Sequence, residues 1–592
     1  MSTQSHAPDR ESITRQRVAK HLRTLYPECE IDPMVDRIMD RCQTATATIR
    51  PKRRRRTYSA ADSMLITYGD SIIADDQTPL QTLDGFLRHH VGDAITSIHV
   101  LPFYPYTSDD GFAVSDYTAV RDDLGDWSDI HQLASHHDLM FDLVINHVSA
   151  SHAWFEQFQR DQSPGNQYFI TCNPQTDLHD VTRPRSSPLL RETRRGDATV
   201  HVWCTFGHDQ VDLNFANPDL MVEMIGVAFD YINHGASWLR LDAIGYLWKQ
   251  IGTSCIHLPQ THEAVRLMRT LVEFFAPHVR LITETNVPNN ENLSYFGNRN
   301  EAHLIYNFSL APLILHALLS GVSRALVRWM RSMPPAPVGC TFLNFTASHD
   351  GIGMRPAEGL LSDEEQSRVI DAVRDRGGLL SMRRMADGTD RVYEMNVSLF
   401  DALGATFAGP DNYHIPRFLC SQTIPMGIEG VPAIYIHSLL ATPNDLDGVA
   451  ETGRNRSINR HRWDRDRLEG LLADPDSAPH QVHAEMCRRL RIRANQPAFD
   501  PKATQFTLIL NPHFFGFWRQ SIDRTQSIFA VHNLSNQTRT LSLEDLNLTS
   551  TDQWYDLISG EAMPGLYDEI DVAPYQCLWI TNRLNNPVDE NE

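Results

Sequence analysis

Trp238-Leu239-Arg240-Leu241-Asp242-Ala243 is the stretch on which the reading of this chain turns. It is an apolar run of strand character that ends in an Arg and an Asp one residue apart. Side chains two positions apart on a strand project from the same face, so guanidinium and carboxylate are neighbours. A cation beside a carboxylate lowers its pKa and keeps it ionised at neutral pH, as a carboxylate nucleophile requires. The same pair is also a common structural salt bridge. Its meaning therefore depends on the residues around it.

Working outward, short apolar runs occur at 64–68, 98–102, 140–146, 237–242, 281–284, 304–307, 342–349 and 431–437, most followed by a helical pattern such as 80–89 or 263–275. Repeated β–α units predict a parallel sheet, and eight of them predict a closed (β/α)8 TIM barrel. Two polar stretches interrupt the alternation, 149–212 after the third run and 351–412 after the seventh, the latter with Gly377-Gly378 and Asp387-Gly388. Insertions after barrel strands lie on the C-terminal face, where active sites are built. From 505 onward, strand-like runs at 506–510, 527–532 and 576–580 predict a C-terminal antiparallel β-domain.

The expected division is an N-terminal helical extension (1–57), a first barrel part (58–148), a loop-rich insertion (149–212), a middle barrel part (213–350), a second loop-rich insertion (351–412), a last barrel part (413–504) and the β-domain (505–592). Met34, Val35 and Ile38 give the extension a weak apolar stripe.

Composition narrows the function classes. Asp plus Glu outnumber Lys plus Arg by 74 to 53, a formal net charge of −21, which argues against nucleic acid or an anionic membrane as partner. The basic run Lys52-Arg53-Arg54-Arg55-Arg56 reads as a solvated patch. Residues 1–10 are polar and unlike a secretory signal, and no apolar stretch is long enough to span a bilayer. Nine scattered cysteines without a CxxC pair predict reduced thiols in a cytoplasmic protein and no zinc site. No nucleotide fingerprint appears.

Four of the runs end in ionisable groups: Asp142 with Asn146-His147, Arg240 with Asp242, Glu284, and His349-Asp350. Charge at the end of an apolar strand is costly unless paired or functional. Each group alone has a structural explanation, but four together at the C-terminal ends of one barrel predict a convergent site. Retaining transfer at an anomeric carbon needs a carboxylate nucleophile and a protonated carboxyl that donates to the leaving oxygen. Asp242, beside Arg240, suits the first role. Burial and nearby carboxylates should raise Glu284 for the second. Asp350 would stabilise the oxocarbenium-like transition state, while His147 and His349 donate to sugar hydroxyls.

With these residues in place the chain resembles the α-amylase family, glycoside hydrolase family 13. Asp-Leu-Val-Ile-Asn-His at 142–147, Leu-Arg-Leu-Asp-Ala at 239–243, Glu284 and Ser-His-Asp at 348–350 are similar to its four ordered signature regions. The resemblance runs from about Met64 to the end. It tightens to the sucrose phosphorylase-like subfamily through Leu101-Pro102-Phe103-Tyr104-Pro105 with Asp109 and Gly111-Phe112, Gly252-Thr253-Ser254-Cys255 and Arg456-Ser457-Ile458-Asn459-Arg460. The subfamily implies cleavage of an α-glucoside by inorganic phosphate through a covalent glucosyl-enzyme, releasing α-glucose 1-phosphate without cofactor or metal. It further implies that Asp109, His147, Arg240, His349 and Arg456 grip the glucosyl unit and that Phe112 stacks on it.

For the leaving group, Tyr393-Glu394 stands where sucrose phosphorylases generally carry Tyr-Gln. A carboxylate lacks the donor hydrogens of an amide, accepts from a polyol such as glycerol, and repels glycerate unless Arg391 offsets it. Segments 436–445 and 452–456 look closer to the glucosylglycerol and glucosylglycerate enzymes. The expected order of substrates is glucosylglycerol, glucosylglycerate, sucrose. A hydrolase or transglucosidase on the same site is a second class, and a non-catalytic amylase-like scaffold a third, against which the three carboxylates argue. The partners expected are a small α-glucoside and phosphate, with the chain a monomer or homodimer.

Overall fold

Eight parallel strands close into a barrel in the computed structural model, which describes residues 9–47, 58–384 and 389–584. They are β1 (Met64–Thr67), β2 (Ser97–Val100), β3 (Asp138–Val144), β4 (Ala236–Asp242), β5 (Arg280–Thr283), β6 (Leu304–Tyr306), β7 (Thr341–Asn344) and β8 (Val431–Tyr435), in ring order, with β1 paired to β8. Nearly every strand residue is buried, because a parallel sheet is covered on both faces. That is why the strands read as continuous apolar runs.

All eight expected strands are present, but several stop short of the polar groups assigned to their ends. β5 ends one residue before Glu284, and β7 ends five before His349. The Asn344 side chain turns to Glu429 O at 3.0 Å, and the chain leaves the ladder there. Asn459 Nδ2 then holds Ser348 O (3.0 Å) and Asp350 O (3.1 Å), and Arg460 Nε donates to His349 O at 2.9 Å. A distant segment thus fixes the His349-Asp350 loop.

The N-terminal segment is a helical pair, α1 (Arg10–Leu25) and α2 (Ile31–Thr46). α1 lies on the barrel helix α4 (Pro259–Phe275), and α2 on α3 (Pro218–Asn233). Met34, Val35 and Ile38 are buried there, so the weak stripe is a docking face. Arg41 pairs with Asp230 at 2.7 Å, and Tyr26 donates to Phe215 O at 2.9 Å. A Cβ on Gly226 of α3 would lie 2.6 Å from Arg41 Nε, so the glycine leaves room for the Arg41 guanidinium in the position it takes toward Asp230. The basic run 52–56 lies outside the described residues.

After β3, a strand Gln210–Asp212 returns to pair antiparallel with His147–Ser149, and a hairpin joins Leu190–Arg195 to Ala198–Trp203. After β6 come α5 (Leu310–Ser320) and α6 (Arg324–Ser332). The stretch after β7 is less loop-rich than expected. It holds α7 (Asp363–Asp375) and a hairpin of Leu379–Arg384 with Asp390–Asn396. A capping box of Ser362 with Glu365 starts α7.

A five-stranded antiparallel sheet closes the chain, containing Thr504–Thr507, Phe514–Gln520, Ser527–Asn533, Cys577–Thr581 and Tyr555–Asp556. Phe514–Gln520 escaped the sequence reading because Gly516 and Arg519 break its apolar pattern. Arg519 is buried and donates to Gly427 O at 2.8 Å, tying the sheet to the barrel. All nine cysteines are free. Among the described residues no helix is long and apolar enough to cross a membrane.

Candidate active site

The alternation of β4 places Arg240 and Asp242 on one face, and Arg240 Nη1 donates to Asp242 Oδ1 at 2.7 Å. The same nitrogen reaches Asp142 Oδ1 on the adjoining β3 at 2.5 Å, and Nη2 lies 4.0 Å from Glu284 Oε2. Asp142 is fully buried and also takes His99 Nε2 at 2.7 Å. Ala243, directly after Asp242, adopts a left-handed conformation (φ 49°) uncommon for a residue with a Cβ. That bend aims its N–H at Glu284 Oε2, 3.0 Å away. One strained residue thereby sets the spacing of the two carboxyls.

Their electrostatics differ from the simplest reading of the Arg240–Asp242 pair. Burial, opposed by Arg240 and aided by Asp142 and Asp350, pushes Asp242 up to about 7. Burial raises Glu284 likewise to about 7, with Asp242 and Asp350 adding to it against Arg240. Arg240 therefore does not hold Asp242 at an ordinary low value, because burial outweighs it and the nearby Asp142 carboxylate adds like charge. The two carboxyls compete for one proton. Arg240 sits 2.7 Å from Asp242 but 4.0 Å from Glu284, so the charge settles on Asp242 and the proton on Glu284. Asp350 goes the other way: burial opposes its charge, yet Arg456, His349, Arg460 and Arg240 together hold it well below the carboxylate range. Three carboxyls in one site thus have distinct protonation, as acid–base chemistry at an anomeric carbon demands.

Asp109, Phe112, His147, Arg240, Asp242, Glu284, His349, Asp350, Tyr393 and Arg456 line one pocket at the C-terminal mouth of the barrel. Asp109 and Asp110 both take left-handed angles (φ 54° and 46°), and a Cβ on Gly111 would lie 2.7 Å from Pro102 Cβ. This tight turn presents Asp109 to the pocket. Phe112 stacks on His349, with ring centroids 4.9 Å apart and planes 8° from parallel. One face of Phe112 is therefore occupied by a neighbour, which limits the stacking expected of it. Burial lowers the pKa of both His147 and His349, so both are neutral.

Glu394 is the main departure. It is only 1% exposed, and it takes Arg456 Nε at 2.8 Å and Nη2 at 3.0 Å in a two-pronged ion pair. The remaining Arg456 nitrogen reaches Asp350 at 2.6 Å. Glu394 therefore does not face an acceptor, and Arg456, not the exposed Arg391, offsets its charge. The premise that Glu394 repels an anionic leaving group does not hold.

Sequence reasoning missed several pocket residues. Gln210 Nε2 lies within 3.3 Å of Asp109 Oδ2, Phe112 O and His147 Nε2. It comes from an insertion without periodic signal. Arg185, from the same insertion, lies over the Tyr393 ring at 5.2 Å. Among the described residues no carboxylate pairs with it. Lys249 was also unremarked: its buried ammonium lies 2.6 Å from Asp212 Oδ2 and 2.5 Å from Asn146 Oδ1, a cation supplied by the chain itself.

Residues 91–331 match the model of the α-amylase catalytic domain. The chain is 39% identical over 568 residues to a glucosylglycerate phosphorylase of Allomeiothermus silvanus, covering 96% of this chain and 98% of that protein. It is 30% identical to a glucosylglycerol phosphorylase of Marinobacter adhaerens, covering 74% of this chain and 88% of the other. The crystal structure of a sucrose 6F-phosphate phosphorylase from Thermoanaerobacter thermosaccharolyticum superposes with a TM-score of 0.71 at 24% identity, over 87% of this chain and 98% of that one. The chain belongs to the α-amylase family. Within it, its relatives are α-glucoside phosphorylases of the sucrose phosphorylase-like group. The similarity reaches further than expected. A match of 568 residues is longer than everything beyond residue 57, so it includes part of the helical pair.

Proposed function

We propose that this chain is a retaining phosphorylase that exchanges glycerate for phosphate on an α-glucosyl unit, acting on glucosylglycerate ahead of glucosylglycerol and sucrose. Asp242 attacks C1 as Glu284 gives its proton to the departing glycerate oxygen, leaving a β-glucosyl ester on Asp242. A phosphate oxygen then attacks C1 from the opposite face, its proton passing to Glu284. The ester bond breaks, α-glucose 1-phosphate leaves, and both carboxyls regain their starting states. Asp350, held anionic beside Arg456, faces the positive charge that develops at the anomeric centre. Asp109, His147, His349 and Arg456 hold the glucosyl hydroxyls.

The observation that carries the choice of glycerate is Arg185. With Glu394 consumed by Arg456, the guanidinium over Tyr393 supplies positive charge at the acceptor side. A glycerate carboxylate, or phosphate in the second half-reaction, matches that charge, whereas glycerol and fructose have none. The higher identity to the glucosylglycerate enzyme over nearly the full length supports the same order. Phosphate as co-substrate and nine free thiols suit a cytoplasmic enzyme.

The test incubates the protein with phosphate and, separately, glucosylglycerate, glucosylglycerol and sucrose, measuring glucose 1-phosphate. Fastest release is expected from glucosylglycerate. Free glucose in place of glucose 1-phosphate would assign the site to a hydrolase.

A further inference from the structure

A second cleft, of about 530 Å³, lies where α5, α6 and α7 meet the C-terminal β-domain, and it shares no lining residue with the Asp242 pocket. Its charge is opposite to that of the molecule. Arg324, Arg368 and Arg539 line it with His316 and His513, against one carboxylate, Glu365, in a chain of net charge −21. Glu365 is already engaged, accepting from Ser362 N at 2.8 Å in the cap of α7. Arg368 lies over the Phe407 ring at 4.3 Å, and Arg539 Nε donates to Ser535 Oγ at 3.2 Å. Among the described residues Arg324 has no ion-pair partner.

Two further features point to a ligand. The nine-residue helix α6 starts at this cleft, where Arg324 and Ala325 of its first turn form part of the wall, and Ser323 makes no side-chain cap. An uncapped first turn offers backbone N–H groups and the positive end of the helix dipole. Independently, the His316 side chain is only 8% exposed, and its Nδ1 has no hydrogen-bond partner. Its Nε2 lies 3.8 Å from Glu365. Burial lowers the pKa of this imidazole, and in a neutral ring with its proton on Nε2 the unpartnered Nδ1 carries a lone pair. An anion alone would leave that lone pair unmatched. A hydroxyl on the same ligand would satisfy it.

We propose that this cleft binds a phosphorylated sugar, its phosphoryl group held by Arg324, Arg539 and the α6 N-terminus and one of its hydroxyls donating to His316 Nδ1. The size of the cleft fits a hexose phosphate and is far larger than inorganic phosphate needs.

Calorimetric titration of the full chain with glucose 6-phosphate, inorganic phosphate and sorbitol tests the assignment. Glucose 6-phosphate should bind more tightly than phosphate, and sorbitol least. The Arg324→Ala/Arg539→Ala double variant should weaken glucose 6-phosphate binding by about ten-fold or more, while release of glucose 1-phosphate by phosphorolysis stays at the wild-type rate. His316→Ala should weaken glucose 6-phosphate but leave inorganic phosphate unchanged. Binding of glucose 6-phosphate that is undetectable, or unaltered in the double variant, overturns the site. Equal affinity for glucose 6-phosphate and phosphate overturns its sugar part.

Discussion

Arg240 serves three carboxyls with one guanidinium, and the division of its charge sets the protonation of the site. Replacing Asp242 by Ala removes the group proposed to accept the glucosyl unit. Turnover on every donor should fall by roughly 10⁴-fold or more, by analogy with removal of other nucleophiles, as measured by glucose 1-phosphate release. The pH dependence follows from the shared proton. Burial raises Glu284 to about 7, so kcat should fall as pH rises through that value and Glu284 loses the proton it donates. On the acid side activity falls when Asp242 is also protonated. Stability has the same sign: a carboxyl raised by folding stabilises the fold below the unfolded carboxyl range, and that contribution declines with rising pH and is gone above about 7. Glu284→Gln should flatten this part of the stability profile in thermal melts at stepped pH, and a profile identical to wild type would contradict the assignment. Glu394 teaches a different lesson. Read as a neighbour of Tyr393, it looked like an acceptor residue. Paired with Arg456 across 62 positions, it is a brace for that guanidinium, which is proposed to hold the glucosyl unit. Glu394→Gln should therefore lower kcat/KM on all donors, sucrose included, instead of improving sucrose.

At the scale of elements, Lys249 and the helical pair connect parts that the sequence separates. Lys249 sits between Asn146 beyond β3 and Asp212 in the insertion, so the insertion is pinned by one buried ammonium. Lys249→Ala leaves Asp212 buried without a counter-charge and should cost about 3–5 kcal/mol. Adding Asp212→Asn should recover part of that loss in chemical denaturation. The α1–α2 pair covers apolar faces of α3 and α4, with Leu22 and Ile38 fully buried. Ile38→Ala should cost about 2–4 kcal/mol if the pair belongs to the cooperative core, and close to nothing if it were an appendage. A weak apolar stripe at Met34, Val35 and Ile38 made a helical extension legible, but not its division into two helices. Their partners were not legible either, because the matching features are a glycine at 226 and acids at 219 and 230, which carry no periodic signal.

At the scale of the whole molecule, Arg185 from the insertion and Tyr393 from the hairpin line one pocket with Arg456 and Asp109, on the side proposed to take the acceptor. If Arg185 recognises the carboxylate of glycerate, Arg185→Ala should raise KM for glycerate about ten-fold or more in the synthetic direction. KM for glycerol, measured with the same variant, should stay nearly unchanged; equal effects on both would remove Arg185 as the discriminating cation. The sequence by itself determined the barrel, because fully buried parallel strands must be apolar and their polar endings then stand out. It also pointed to one rim for three carboxyls through strand order, with Asp242 ending its strand and Glu284 just beyond the next, whereas Asp350 lies past β7 on a loop that Asn459 and Arg460 hold. What each carboxyl holds was decided only by the tertiary structure. Burial, a guanidinium divided between Asp142 and Asp242, and an Arg456 drawn from far along the chain set charges that no local pattern encodes. The leaving group belongs to that second category too: loops without periodicity meet only when the chain closes, and only there does Arg185 come over Tyr393 while Glu394 turns to Arg456.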